Sequence, residues 1–363
     1  MKKKPGYILV MTLLLLSLAT VIVTKLYVQA RTYTAFSMLD VKRQQARCLA
    51  ESGISIALAQ LTLHDQTLKP KENKEKVPEK QNDQQTAQQK ERQLLKTLLL
   101  TQNRWQTFVL TYDNDGIDAT LHVCISCEDG KLNLNKIWDF KNKKFSSALV
   151  RAQDAQKLFT TLGTTAAPLL NNKNIVEPLL ETLKKRQQPL FDVTELLTNE
   201  KLWEFKDAVF FEPPINDLKA SSEGQKQEEK IFLTDLFTIW TDEETMYPLL
   251  MSSSLRTLCK FSAQVVPTKE LVKEIGTISE KISLDNSAWA QDWNTYAKPL
   301  FGKDFAHIPQ EIIPFLSSKF EPRVFSVLCY AEVGTVKQKL LAILERSRVE
   351  KGEKFKVKKL YWI

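Results

Sequence analysis

Few residues in this sequence have types and spacing suited to chemistry. Cys124-Ile-Ser-Cys127 has the CxxC spacing of a redox dithiol or half a zinc site, which needs both sulfurs on one side of a helix or tight turn. The surrounding residues argue against that geometry. Ile117, Ala119, Leu121, Val123 and Ile125 alternate with Asp118, Thr120, His122, Cys124 and Ser126, the pattern of a strand with one buried face and one wet face. Residues three apart on a strand point to opposite faces, so the thiols diverge, and no second CxxC follows. Asp113-Asn114-Asp115-Gly116 begins like a calcium loop, but Ala119 and Leu121 stand where oxygen donors belong and no glutamate closes it. A hairpin turn accounts for the same residues. Of the three histidines, His64, His122 and His307, only His122 has chemical company, and a solvated sheet surface explains it. Ser252-Ser253-Ser254 before Leu255 reads as a loop or a helix N-cap. Phosphate loops, GxSxG, GxGxxG and HExxH are absent, so no active site is expected.

The elements that would carry these residues fit in 363 residues, room for one large or two modest domains. Hydrophobic residues make up 43%, enough for a sizeable core. The net charge of +8 and pI of 9.0 come without an arginine-rich stripe interleaved with aromatics. A solvated basic surface is therefore expected rather than a nucleic-acid partner. Five scattered cysteines cannot staple a scaffold.

The N-terminus, KKKPGYILVMTLLLLSLATVIVTKLYVQAR, admits three readings: a secretory signal, a membrane anchor, or the start of something longer. Ile8 to Val23 is uncharged, and with Leu26, Tyr27 and Val28 the run reaches the roughly 20 residues that cross a bilayer. Lys2, Lys3 and Lys4 hold the N-terminus in the cytoplasm. Val28-Gln29-Ala30 has the small-residue look of a signal-peptidase site. The text nevertheless continues as a helix. Ala46, Leu49, Ala50, Gly53, Ile54, Ala57, Leu58 and Leu61 recur at three- and four-residue steps, opposite Arg43, Gln44, Arg47, Glu51 and Gln60. With no proline between Pro5 and Pro70, one helix from about Tyr7 to Leu61 is expected. At ~1.5 Å per residue it is on the order of 80 Å long, half in lipid and half amphipathic.

A short basic leader ending in glycine, followed by a large apolar residue and such a helix, resembles the type IV pilin superfamily. The resemblance implies cleavage between Gly6 and Tyr7 by a prepilin peptidase and N-methylation of Tyr7. The fifth mature residue is usually glutamate in that family, and here it is Met11. Absence of this carboxylate is typical of the K-type minor pseudopilin of type II secretion systems (GspK). Further segments resemble the same type in the same order. They are CEDGKLNLNKI, with Glu128, Asp129, Gly130, Asn133 and Asn135, then PLFDVTELLTNEKLW, LTDLFTIWT, RVFSVLCYAEVG and the terminal KKLYWI. One departure is DEETMYPLLMSSS, where family members commonly carry an Asn-rich stretch.

The expected fold is α+β: a pilin-like long N-terminal helix packed on an antiparallel sheet, with a mainly α-helical domain inserted in the sheet. Residues 1–6 are the leader and 7–62 the helix, of which 7–28 span the membrane. Residues 63–93, almost devoid of apolar side chains, form a solvated tether or partly helical spacer. A short helix to about Gln102 and the first part of the sheet occupy 94–145. There strands Thr107–Tyr112 and Ile117–Ser126 form a hairpin, and Lys131–Asn135 follows a second turn. The insert covers 146–320, with helical spacing at Ser146–Leu202, Leu255–Lys260 and Pro309–Lys319, and the last strands lie in 321–363. Phe210-Phe211 and Phe301–Phe305 are read as cover for the core rather than docking patches.

The resemblance implies a structural subunit, not an enzyme. It would cap or start the periplasmic pseudopilus that drives protein export across the outer membrane, anchored by a single pass in the bacterial inner membrane. Its implied partners are the I and J minor pseudopilins, the major pseudopilin, the prepilin peptidase and the inner-membrane secretion platform. The stripe from Ala46 to Leu61 would pack on its own sheet and on neighbouring helices. K-type subunits can bind calcium, but no ligand set is matched residue by residue, so the metal is unknown and no other cofactor is expected. In that oxidising compartment the redox state of Cys124 and Cys127 stays open. The alternatives are a minor pilin or adhesin of a type IV pilus, or an exported protein with a conventional signal peptide.

Overall fold

A computed structural model describes residues 6–66, 79–146, 150–170, 174–207, 209–213, 231–261, 269–284, 289–349 and 352–363. The leader residues 1–5 and the central part of the expected tether, 67–78, lie outside the described residues.

Helix α1, Gly6–Gln66, is one unbroken rod of 61 residues. At ~1.5 Å per residue that is about 90 Å. Its two halves have different surroundings. Every described side chain from Tyr7 to Gln45 is exposed. From Ala46 onward the small-residue stripe is buried against the sheet. The rod is the one described helix long and apolar enough, by length and composition, to cross a membrane.

The sheet has five antiparallel strands: β1, Trp105–Leu110; β2, Ala119–Cys127; and, after a long excursion, three that close the chain. Numbering two short strands of that excursion, β3 (Leu132–Asn133) and β4 (Phe237–Thr238), the closing strands are β5, Val324–Val333; β6, Val336–Val349; and β7, Gly352–Trp362. The spatial order is β1-β2-β5-β6-β7. β2 and β5 are neighbours in full register, Ala119 opposite Val333 and Cys127 opposite Phe325. Everything between them in sequence is therefore an insertion into the sheet, and the architecture is α+β.

Between α1 and β1 lies a second helix, α2, Glu79–Thr101. Here the structure departs from a solvated tether and takes the other expected form, a partly helical spacer. α1 runs on to Gln66, α2 starts at Glu79, and the end of the polar run is tied down. Arg346, buried on β6, pairs with Glu91 at 2.9 Å. Arg92 donates to the carbonyls of Ser279 and Ile282, both at 3.0 Å, at the end of a later helix. Leu94, Leu95 and Leu98 complete the attachment, all fully buried.

The hairpin turn also differs from a two-residue connection. β1 begins at Trp105, and a single helical turn, Tyr112–Asp115, joins the strands. Gly116 ends it at φ 71°, a left-handed conformation that suits glycine. Asp115 and Asp118 accept the amides of Thr111 and Tyr112. These carboxylates therefore organise the turn.

In the insert, α3 (Ala152–Ala166), α4 (Val176–Lys185), α5 (Ser253–Leu258) and α6 (Lys269–Lys281) are the main helices. α2 and α6 pack on one another. Several expected helices are tighter or shorter. Val193–Thr198 is a 3-10 turn with a capping box, Asp192 and Glu195 each accepting a backbone amide of the other end. Pro309–Lys319 contains only a 3-10 turn at Ile313–Phe315, where Pro314 interrupts regular α geometry. Lys131–Asn135 yields just β3, because the Asn133 side chain caps a helical turn at Leu134–Ile137. The aromatic segments are cover. Phe301 is fully buried and stacks on Trp293 at 4.7 Å, and Phe211 stacks on Trp105 at 5.7 Å.

Candidate functional site

Two regions bring candidate residues together. The first is α1. Gly6 is its first residue, Tyr7 is 69% exposed and Met11 is 49% exposed. Further along, Ala46, Ala50, Ile54, Ala57 and Leu61 are buried, with Leu49 and Leu58 half-buried against the same core. Their small size sets the distance between rod and sheet. At Gly53 a Cβ would meet Cys329 Sγ at 2.7 Å and Val123 Cγ2 at 3.2 Å, so only glycine lets the helix approach β2 and β5 this closely. A side-chain pair, Gln60 with Gln106, fixes the rod to β1. Below Ala46, exposed Tyr33, Phe36, Met38, Leu39 and Val41 continue the apolar surface beyond the length a bilayer needs. One rod thus has a lipid-length half, an apolar collar and a docked half.

The second region is the segment Glu128–Asn135, which turns out to be the joint between sheet and insert. Its side chains bond to parts of the chain far away in sequence. Glu128, 3% exposed, accepts from Lys131 Nζ and from Thr238 Oγ1 on β4. Lys131 also donates to the Thr234 carbonyl at 2.8 Å and to Ser326 Oγ at 3.3 Å. Asp129 Oδ2 accepts the amides of Arg323 at 2.8 Å and Val324 at 3.1 Å, where the chain re-enters the sheet. Burial pushes the Asp129 carboxyl up to about 6, against the pull of those amides. A Cβ on Gly130 would lie 1.8 Å from the Leu250 carbonyl oxygen, so the backbones touch there. Asn133 donates to the carbonyl and hydroxyl of Thr241 at 2.7 and 2.8 Å. Asn135 exchanges two hydrogen bonds of 2.8 Å with the backbone of Leu190. Each polar side chain is matched to the insert or to the strand that re-enters the sheet, which is how a buried polar joint avoids the cost of unpaired groups.

The alternation of β2 leads to a correction. All but one of its nine residues are buried, so the face read as wet is covered. His122 is 7% exposed, touches Thr107 Oγ1 at 3.0 Å through Nδ1 and sits edge-on to Trp105. Desolvation lowers its pKa and favours the neutral ring. Cys124 and Cys127 are both buried and free. Cys127 lies in the core beneath α1, while Cys124 faces the insert beside Ser126 and Asp235. Burial raises both thiols, which keeps them protonated and unreactive. Among the described residues, no three His, Cys, Asp or Glu side chains are grouped so as to hold a metal ion. Ser252 is an N-cap, accepting from the Leu255 amide.

Sequence reasoning did not single out Lys131, Asp235 or Thr238. Asp235 is 3% exposed and accepts the Ser254 amide at 2.7 Å, and burial raises its pKa. An acidic residue inside the apolar run LTDLF was the one local hint.

The class defined by these elements is a long, partly exposed apolar helix docked on an antiparallel sheet that carries a large, mainly helical insertion. No family model and no curated protein matches the chain. Among solved structures, it is similar to a chain of the GspK-GspI-GspJ complex from the enterotoxigenic Escherichia coli Type 2 Secretion System. That similarity has a TM-score of 0.45 and 13% sequence identity, and it covers 90% of this chain and 99% of that chain.

Proposed function

We propose that the protein is a K-type minor pseudopilin, an assembly subunit that caps or starts the periplasmic pseudopilus of a type II secretion system. The observation that carries the reading is the unbroken rod from Gly6 to Gln66, with its first half unpacked and its second half docked. A removable signal has no need to be continuous with a docked helix. An ordinary anchor does not need an apolar collar beyond the bilayer. Side-by-side assembly with other helices needs both. The basic leader ending at Gly6 supports cleavage before Tyr7, and Met11 supports first place in the filament. With no carboxylate there, the subunit lacks a charge for the amine of an earlier one. The large insert fits a tip, where nothing follows, better than a regular repeat. The head lies in the periplasm, and the I and J minor pseudopilins, the major pseudopilin, the prepilin peptidase and the inner-membrane platform are its partners.

Intact mass of the protein extracted from membranes tests the reading. The expected species begins at N-methyl-Tyr7. Gly6→Ala slows maturation, and Gly6→Trp abolishes it, because the peptidase must approach the small residue closely. A mature chain starting at Arg31 would assign an exported protein. An intact Met1, or normal maturation of Gly6→Trp, would defeat the proposal.

A further inference from the structure

Strand β7 forms one edge of the sheet: it is hydrogen-bonded to β6 on one side, and no described strand adjoins the other. Such an edge presents a row of main-chain donors and acceptors to any chain that can lie along it. Its two faces differ. Val357, Leu360 and Trp362 stand opposite Leu344, Ala342 and Leu340, which belong to the core beneath α1, yet each is between 42% and 46% exposed. α1 lies mainly over β5 and β6, so the core stops short of covering this apolar strip. On the other face Lys354 and Lys356, both exposed, stand opposite Ser347 and Glu345.

Charge selects the occupant. Among the described residues Glu345 is the one carboxylate bridged to a lysine of β7, and it lies 3.4 Å from Lys358 rather than beside its cross-strand neighbour Lys356. Lys359 is taken up by the rings of Trp240 and Tyr361. Lys354 and Lys356 remain to meet a partner. Lys358 is also the extra residue of a register shift between Ile343 and Leu344. Lysines and a bulge guard an edge against another edge of the same kind. A second copy of this chain would set lysine against lysine, whereas a strand with acids on that face gains across the pair. An anionic membrane is too far away. The Arg47 guanidinium lies over the Trp362 ring at 5.5 Å, and the helix from Val28 to Arg47 spans about 28 Å, well beyond the screening length in physiological salt.

We propose that the β7 edge receives an extended segment of a neighbouring subunit, alternating acidic and apolar residues, which joins the sheet as an added strand. Its acids meet Lys354 and Lys356, and its apolar side chains close over Val357, Leu360 and Trp362. Main-chain hydrogen bonds to β7 supply affinity, and the two faces supply specificity. The Arg47–Trp362 contact makes the edge continuous with α1, so a subunit whose helix lies beside the rod is placed to reach it. That the occupant is a subunit rests on the assembly reading above; the chemistry of the edge does not.

The experiment uses the full chain in a nonionic detergent and a fluorescent peptide of about seven alternating glutamate and valine residues, the length of one strand. Saturable binding by anisotropy is expected, with hydrogen exchange slowed in β7 and not in β1. A peptide N-methylated at alternate amides, which cannot pair along an edge, should bind at least tenfold more weakly, and one with lysine for glutamate should not bind. Lys354→Glu with Lys356→Glu, at exposed positions, should weaken the acidic peptide at least tenfold and admit the lysine peptide. No saturable binding, equal binding of the N-methylated peptide, an unaffected double variant, or protection at β1 instead would each overturn the proposal. In cells, a photo-crosslinking residue at Val357 should join the chain to another pseudopilin. No crosslink, or one only to lipid or to a second copy, would overturn the occupant. A mature chain starting at Arg31 would strike the assembly reading and leave the peptide result standing.

Discussion

On one face of the sheet, α1 lays Ala46, Ala50, Gly53 and Ala57 against Val123, Val327, Cys329 and Ala342 in one continuous apolar core. On the other face, Cys124, Leu328, Tyr330 and Ile343 are equally buried but stand outside that core, beneath an insert held by Glu128, Lys131 and Asn133. The same strands therefore serve two kinds of interface. The first is set by small side chains and van der Waals contact, which tolerates no added volume. The second is set by matched polar groups around a cavity, which tolerates volume but not the loss of a partner.

Removing one member of the polar joint gives the largest expected effect. Lys131→Met leaves Glu128 as a buried, uncompensated charge and should cost about 3–5 kcal/mol in chemical or thermal unfolding of the full chain in detergent. The double change Glu128→Leu with Lys131→Met should recover much of that loss, because an apolar pair of similar volume needs no charge partner. If Lys131→Met costs under about 1 kcal/mol, the insert is held by packing alone and the contrast between the faces is lost.

The dry face was legible in the sequence and the polar face was not. Small residues at Ala46, Ala50, Gly53 and Ala57 announce themselves by helical spacing, and the strict alternation from Ile117 to Ser126 marks β2. Both signals are local. The polar joint is built by contacts such as Lys131 to Ser326, 195 residues apart, which leave no periodicity to read. Polar residues on β2 therefore looked solvated until the insert was in place. Glu91 and Arg92 looked like the end of a tether for the same reason, since their partners Arg346 and Ile282 are remote. Glu128–Asn135 was visible only as a resemblance, and its role as a joint came from the fold.

A second, smaller effect sharpens the contrast through pH. Asp129 belongs to the polar joint, and burial raises its carboxyl from the ordinary range to about 6. The folded state then holds a proton more tightly than the unfolded chain, so its contribution to stability is fully present below about 4, near the unfolded value. It is lost as pH rises through about 6. The difference between the protein and Asp129→Asn should thus change by under about 3 kcal/mol over that window, part of it screened by the partly exposed edge of the group. Melting curves at pH 4, 5, 6 and 7 read this directly. A flat difference would place Asp129 outside the energetics of the joint, and a rise with pH would mean that the Arg323 and Val324 amides outweigh its desolvation.

The smallest expected effect asks both faces to accept extra volume. Ala50→Leu adds three carbons where helix and sheet already touch, forcing side chains from their rotamers or the rod from its seat, and should cost about 1–3 kcal/mol. Leu328→Phe also adds three carbons, though as a flatter ring of smaller added volume, beside the cavity of about 340 Å³, and should stay within about 1 kcal/mol of the parent. The comparison needs both variants in the same melting experiment, because either value alone fits a generic core. Equal losses would mean that the insert face is packed as tightly as the α1 face. A larger loss at Leu328 than at Ala50 would reverse the assignment, making the rod the adaptable partner and the head the rigid one.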